Sequence, residues 1–172
     1  MTSSPVDEAV SAVVDVLDRL GIPWLIGGSL ASSVHGSARS TLDVDMVLAL
    51  ALSEVRPLVE ALEPDFYVDE DAVREAVRSR ASFNAIHNAT IVKIDIYVLT
   101  PDPFEQSAFS RGVLQRLPGA SERAPAFRFC TAEDIILPTP DLITFSGSTG
   151  LLVHGDLLYV GINGISTYPA LK

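Results

Sequence analysis

The sequence predicts an α/β fold from three observations. Helix-period and strand-period apolar segments alternate along the chain, two later strand-like runs have the spacing of an antiparallel hairpin, and 172 residues suffice for one core. A domain of this length buries about 70% of its unfolded surface. With 48% hydrophobic and 20% charged residues, the chain has the composition of an ordinary globule and no long disordered tract is expected.

From about Pro5 to Leu20, the residues Val6, Val10, Val13, Val14, Leu17 and Leu20 form one stripe, and Gly21 with Pro23 closes an amphipathic first helix. "PWLIGG" reads as a short buried strand ending in glycines, and "SLASSVHG" as a short helix with Ser29 near its cap and Gly36 at its end. "LDVDMVLAL" is a second strand. "SEVRPLVEALE" follows as a helix with a Ser cap, and "DEDAVREAVRSR" as a further short helix. "SFNAIHNATIVKIDIYVLT" gives two strands joined near Asn88. The order is α-β-α-β-α, then more strands. Beyond residue 137 the texture changes: residues 138–172 hold five of the 11 glycines and no Lys or Arg before Lys172. We therefore divide the chain into a domain at 1–137 and an atypical tail at 138–172, which is read equally as edge strands, as a poorly ordered tail or as a partner surface.

Composition excludes several classes. The single cysteine, Cys130, forbids an internal disulfide and a cysteine-based zinc site; it reads as a small buried apolar residue, and a reducing cytoplasm is the expected compartment. Acidic residues stand at the N-terminus where a signal peptide would carry positive charge. No apolar run approaches the roughly 20 residues of a membrane span. A formal net charge of −10 argues against holding a long nucleic acid by its phosphates. A small anionic ligand would need local compensation from metal ions, helix N-termini or a few arginines.

The chemistry concentrates in "LIGGSLASSVHGSARSTLDVDMVL". In an extended strand, side chains at i and i+2 share a face, so Asp43 and Asp45 point the same way while Leu42, Val44, Met46 and Leu48 cover the other side. Carboxylates that close repel each other, and Mg²⁺ or Mn²⁺ is the simplest remedy, since hard cations prefer oxygen ligands. Asp95 recurs in the same style within "IVKIDIYVL", sharing a face with Lys93 and Tyr97. Three aspartates on two strands suit the metal-assisted, in-line displacement of a phosphoryl group. Gly27 and Gly28 let backbone amides approach a phosphate closely, the next helix aims its N-terminus there, and Ser29 adds a hydroxyl. Arg39, four residues before Asp43, reaches the same phosphates bidentately. No Gly-x-x-x-x-Gly-Lys-Ser/Thr element is present, and no Gly-x-Gly-x-x-Gly follows a strand.

Gly28-Ser29, thirteen intervening residues and Asp43-Val44-Asp45 together resemble the signature of the DNA polymerase beta-like nucleotidyltransferase superfamily, and "VKIDIYVL" resembles the strand bearing its third carboxylate. "ARSTLDVDMVL", "SFNAIHNATIVKIDIYVL" and "TAEDIIL" are most similar to its minimal bacterial and archaeal branch, including members in toxin–antitoxin and abortive-infection loci. The resemblance spans roughly residues 20 to 137. It implies a mixed central sheet flanked by helices, with the glycine turn opposite the carboxylates. It further implies that Asp43 and Asp45 hold Mg²⁺ or Mn²⁺, that Asp95 completes the site and helps orient or deprotonate the nucleophile, and that Gly28 and Ser29 bind the β- and γ-phosphates. The implied reaction is attack of a hydroxyl of a protein, RNA or small molecule on the α-phosphorus of an NTP, ATP being the expected one, with release of pyrophosphate. The competing class is an antitoxin-like binding partner that keeps the fold without catalysis. Pro138 and Pro140 depart from the pattern, because a segment like "AEDIIL" usually continues into a lysine-bearing helix.

Among the other residues, Lys93 reads equally as a phosphate ligand or as an ion-pair partner of Asp95. His35 reads as a nucleotide contact or a helix-end residue, and His87 and His154 as structural.

Overall fold

The structure is a computed structural model that describes residues 4–35, 43–117, 119–120, 122, 124–132 and 134, together with the backbone of three tail strands at 151–154, 157–161 and 165–169. Helix α1 (Pro5–Leu20) occupies the predicted span. Ser4 and Asp7 close a reciprocal capping box at its start, and Gly21 ends it in the left-handed conformation with φ 68°. Strand β1 (Trp24–Ile26) leads through Gly27 into α2 (Gly28–Val34), and β2 (Asp43–Leu48) follows. The cap of α2 is Gly27 rather than Ser29, which lies inside the first turn.

A 3-10 turn (Leu52–Glu54) precedes α3 (Val55–Leu62), so Ser53 does not cap this helix as expected. Glu54 takes the cap position without a side-chain cap bond, and its Oε2 instead accepts the Ala51 N–H at 2.8 Å, closing the 3-10 turn. Strand β3 (Phe66–Tyr67), α4 (Glu70–Ser79), β4 (Ser82–His87), β5 (Lys93–Val98), α5 (Pro103–Ser110), β6 (Val113–Gln115) and β7 (Phe127–Phe129) complete the domain.

Seven strands form one mixed sheet in the order β3-β4-β5-β2-β1-β7-β6. The predicted hairpin is present as the antiparallel β4–β5 pair, whereas β2 lies parallel to β5, and β1 is antiparallel to β2 but parallel to β7. The observed class is thus a mixed α+β fold. The core gathers Val10, Val13 and Leu17 of α1, Leu58 and Leu62 of α3, and Val73 of α4 against Val44, Met46, Ile94 and Ile96 of the sheet. All of these residues are essentially inaccessible, and dry apolar burial is the main favourable term in folding. The tail strands β8 (Leu151–His154), β9 (Leu157–Gly161) and β10 (Ile165–Pro169) form an antiparallel sheet of their own. Among the described residues no helix is long and apolar enough to cross a membrane.

Candidate active site

The strand register assembles the site. Parallel pairing sets Asp43 opposite Lys93 and Asp45 opposite Asp95, so carboxylates some fifty residues apart become neighbours on one face. The alternation of β2 and β5 leaves Asp43 exposed and Asp45, Lys93 and Asp95 half-buried, while the intervening residues pack into the core.

The glycine turn abuts the same carboxylate. Gly27 N–H donates to the Asp45 carbonyl at 2.9 Å, fixing the end of β1 to β2. Gly28 takes φ +60°, and a Cβ on it would lie 1.9 Å from Asp45 Oδ2. Only glycine fits there, both for its backbone conformation and for the space. The backbone N–H of Ser29 lies on the side of the Asp45 carboxylate and favours its charged form.

The electrostatics follow from this crowding. Burial, reinforced by the charges of Asp95 and Asp43, pushes the Asp45 carboxyl up to about 6; Lys93 and the Ser29 amide only partly oppose the shift. Lys93 Nζ pairs with Asp95 Oδ2 at 2.9 Å, and the hydrogen bond to Asp95 holds its ammonium above the ordinary lysine range. The ion-pair reading of Lys93 thus describes the ligand-free chain. Tyr97, one step further along the same face, is raised by burial and then by the Asp45 charge.

Among the described residues no three His, Cys, Asp or Glu side chains converge as a ready-made metal cage. Mg²⁺ does not require one, because it keeps much of its shell as water and substrate phosphate and takes only one or two carboxylates from the protein. The donor set fits such a cation, since the aspartates offer carboxylate oxygens and burial, with the charges of Asp95 and Asp43, already lifts Asp45.

Arg39 and Gly36 lie outside the described residues, as do the side chain of His154 and the segment at 138–150. His35 donates from Nε2 to the Cys130 carbonyl at 2.9 Å and so ties the end of α2 to the chain after β7. His87 is buried, bonded through Nδ1 to Thr90 Oγ1 at 2.8 Å and set against the Phe66 ring, a structural role as expected. Cys130 is buried and its thiol is pushed up to about 12, first by burial, so it behaves as a small apolar residue.

Sequence reasoning missed Asn84, which antiparallel pairing of β4 and β5 sets opposite Asp95. With its amide nitrogen turned toward β5, Asn84 donates to Asp95 Oδ1 and to the Phe83 carbonyl. The alternation of "SFNAIH" about the predicted hairpin was the available signal.

No protein-family model matches the chain, and no curated protein matches it. Among solved structures the chain is similar to the antibiotic-resistance factor ANT(2'')-Ia, with 17% identity, a TM-score of 0.46, and coverage of 81% of this chain and 77% of that one. It is also similar to the lincomycin-bound lincosamide antibiotic adenylyltransferase LnuA, with 10% identity, a TM-score of 0.45, and coverage of 74% of this chain and 82% of that one.

Proposed function

We propose that this chain is a nucleotidyltransferase of the DNA polymerase beta-like superfamily, moving an NMP group from an NTP, ATP being the expected one, to a hydroxyl on a protein, RNA or small molecule. The observation that carries this reading is the convergence of Gly28, Asp45 and Asp95: a turn that admits only glycine contacts one carboxylate, and that carboxylate is in register with the second.

In this reading Asp43 and Asp45 hold Mg²⁺ or Mn²⁺, and Asp95 completes the set. The metal, when bound, neutralises charge developing on the phosphoryl oxygens. The backbone of Gly28 and Ser29 receives the β- and γ-phosphates. Lys93 and Arg39 add positive charge to the triphosphate. The acceptor oxygen bonds to the α-phosphorus as the bond from that phosphorus to the β-phosphate oxygen breaks; the hydroxyl proton passes to Asp95 and pyrophosphate departs. An acidic surface leaves the acceptor to be recognised by shape and hydrogen bonding rather than by a basic track.

The test is incubation with labelled ATP, CTP, GTP or UTP, Mg²⁺ and candidate acceptors, comparing wild type with Asp45→Asn. We expect nucleotide binding and label transfer in wild type and at least a hundredfold loss in the variant, the order seen when a preorganised electrostatic group is removed. Wild type that neither binds nor transfers any nucleotide, with Asp45→Asn indistinguishable from it, overturns the reading and leaves a binding protein of this fold.

A further inference from the structure

Asp95 is gripped from both sides. Lys93 reaches its Oδ2 from the same strand, and Asn84 reaches its Oδ1 from the neighbouring strand β4. The two grips differ in kind. Lys93 is a flexible, half-exposed cation whose charge is in demand elsewhere once an anionic ligand and a metal arrive. Asn84 is neutral and short, and cross-strand pairing with Asp95 fixes it in place. A second N–H of the same amide is anchored on the Phe83 carbonyl at 3.3 Å, which limits its rotation. Its side chain stands on the exposed face of β4, so the core does not need it.

We infer that Asn84 is a positioning residue that would hold the Asp95 carboxylate in place for a metal were Lys93 to turn to an anionic ligand; this rests on the reading of Asp95 as a metal ligand of a nucleotidyltransferase site. Partners that orient a ligating carboxylate act on metal affinity without touching the metal. Asn84 makes no claim on the reacting atoms, and its effect passes through Asp95 alone.

Two measurements test it. In metal-free protein labelled with ¹⁵N, the Asn84 side-chain amide resonances are followed on Asp95→Ala; a clear shift is expected, and an unchanged position overturns the inference whatever the enzyme does. Mn²⁺ binding is then titrated in wild type, Asn84→Leu and Asn84→Ser. Leucine matches the shape without a donor and is expected to weaken Mn²⁺ about tenfold or more. Serine keeps a donor and recovers part of that loss, with melting temperatures of both variants close to wild type. Asn84→Leu binding Mn²⁺ as wild type does, or wild type binding none, overturns the inference. An amide that responds and a leucine variant that loses Mn²⁺, in a protein that transfers no nucleotide, uphold Asn84 and overturn the proposed activity instead.

Discussion

On the core-facing side of β2 and β5, Val44, Met46, Leu48, Ile94 and Ile96 are all 0% exposed; one residue along each strand, the other side carries Asp43, Asp45, Lys93 and Asp95. The first set is apolar and dry, whereas the second sets three carboxylates on neighbouring strand positions with one ammonium paired to Asp95. Because side chains alternate with a period of two, the same backbone serves both purposes. The core face stabilises what the open face strains: the burial and neighbouring charges that lift Asp45 to about 6 are tolerated because the opposite surface of the same strands is fully packed.

The largest way to break this division is on the core face. Ile96→Ala removes a fully buried side chain and should lower the unfolding free energy by about 2–5 kcal/mol, read from urea denaturation. A loss well under 1 kcal/mol would show that the face is not packed as described.

Next in size is the joint between the faces. Gly28→Ala adds a left-handed penalty of about 1–2 kcal/mol and drives a methyl group into the Asp45 carboxylate. It should lower the melting temperature modestly and nucleotide affinity severely. Unchanged affinity would separate the glycine turn from the site.

The smallest effect sharpens the comparison by pH. Asp45 titrates at about 6 in the native chain against an ordinary value of 3.8, so the native state binds more protons across that interval and stability falls as pH rises through it. Asp45→Asn removes the charge. It should therefore stabilise the fold by on the order of 1 kcal/mol above pH 6, allowing for the solvent reaching this partly exposed group, and the gain should fade by about pH 4. Denaturation at pH 7.5 and pH 4 checks this; an equal gain at both values would mean that the raised Asp45 carboxyl is not its source.

Much of this division is legible before folding. The limits of α1, the strand ending in glycines, the shared face of Asp43 and Asp45, and the β4–β5 hairpin all follow from local periodicity and turn chemistry, and each is present. Local rules failed where two residues competed for one role. A 3-10 turn moves the cap position of α3 from Ser53 to Glu54, and Ser29 lies inside its helix because Gly27 takes the cap. Strands β3, β6 and β7, of two or three residues each, are too short to show a period.

By itself, then, the sequence determined which side chains share a face and where the chain must turn, because both depend on spacings of a few residues. Only the tertiary structure decided that β2 runs parallel to β5, so that Asp45 faces Asp95, that Gly28 closes on the Asp45 carboxylate, and that Asn84 stands on the far side of Asp95. Strand order and register are set by burying one apolar face over the whole sheet, and no short stretch of sequence carries that sum.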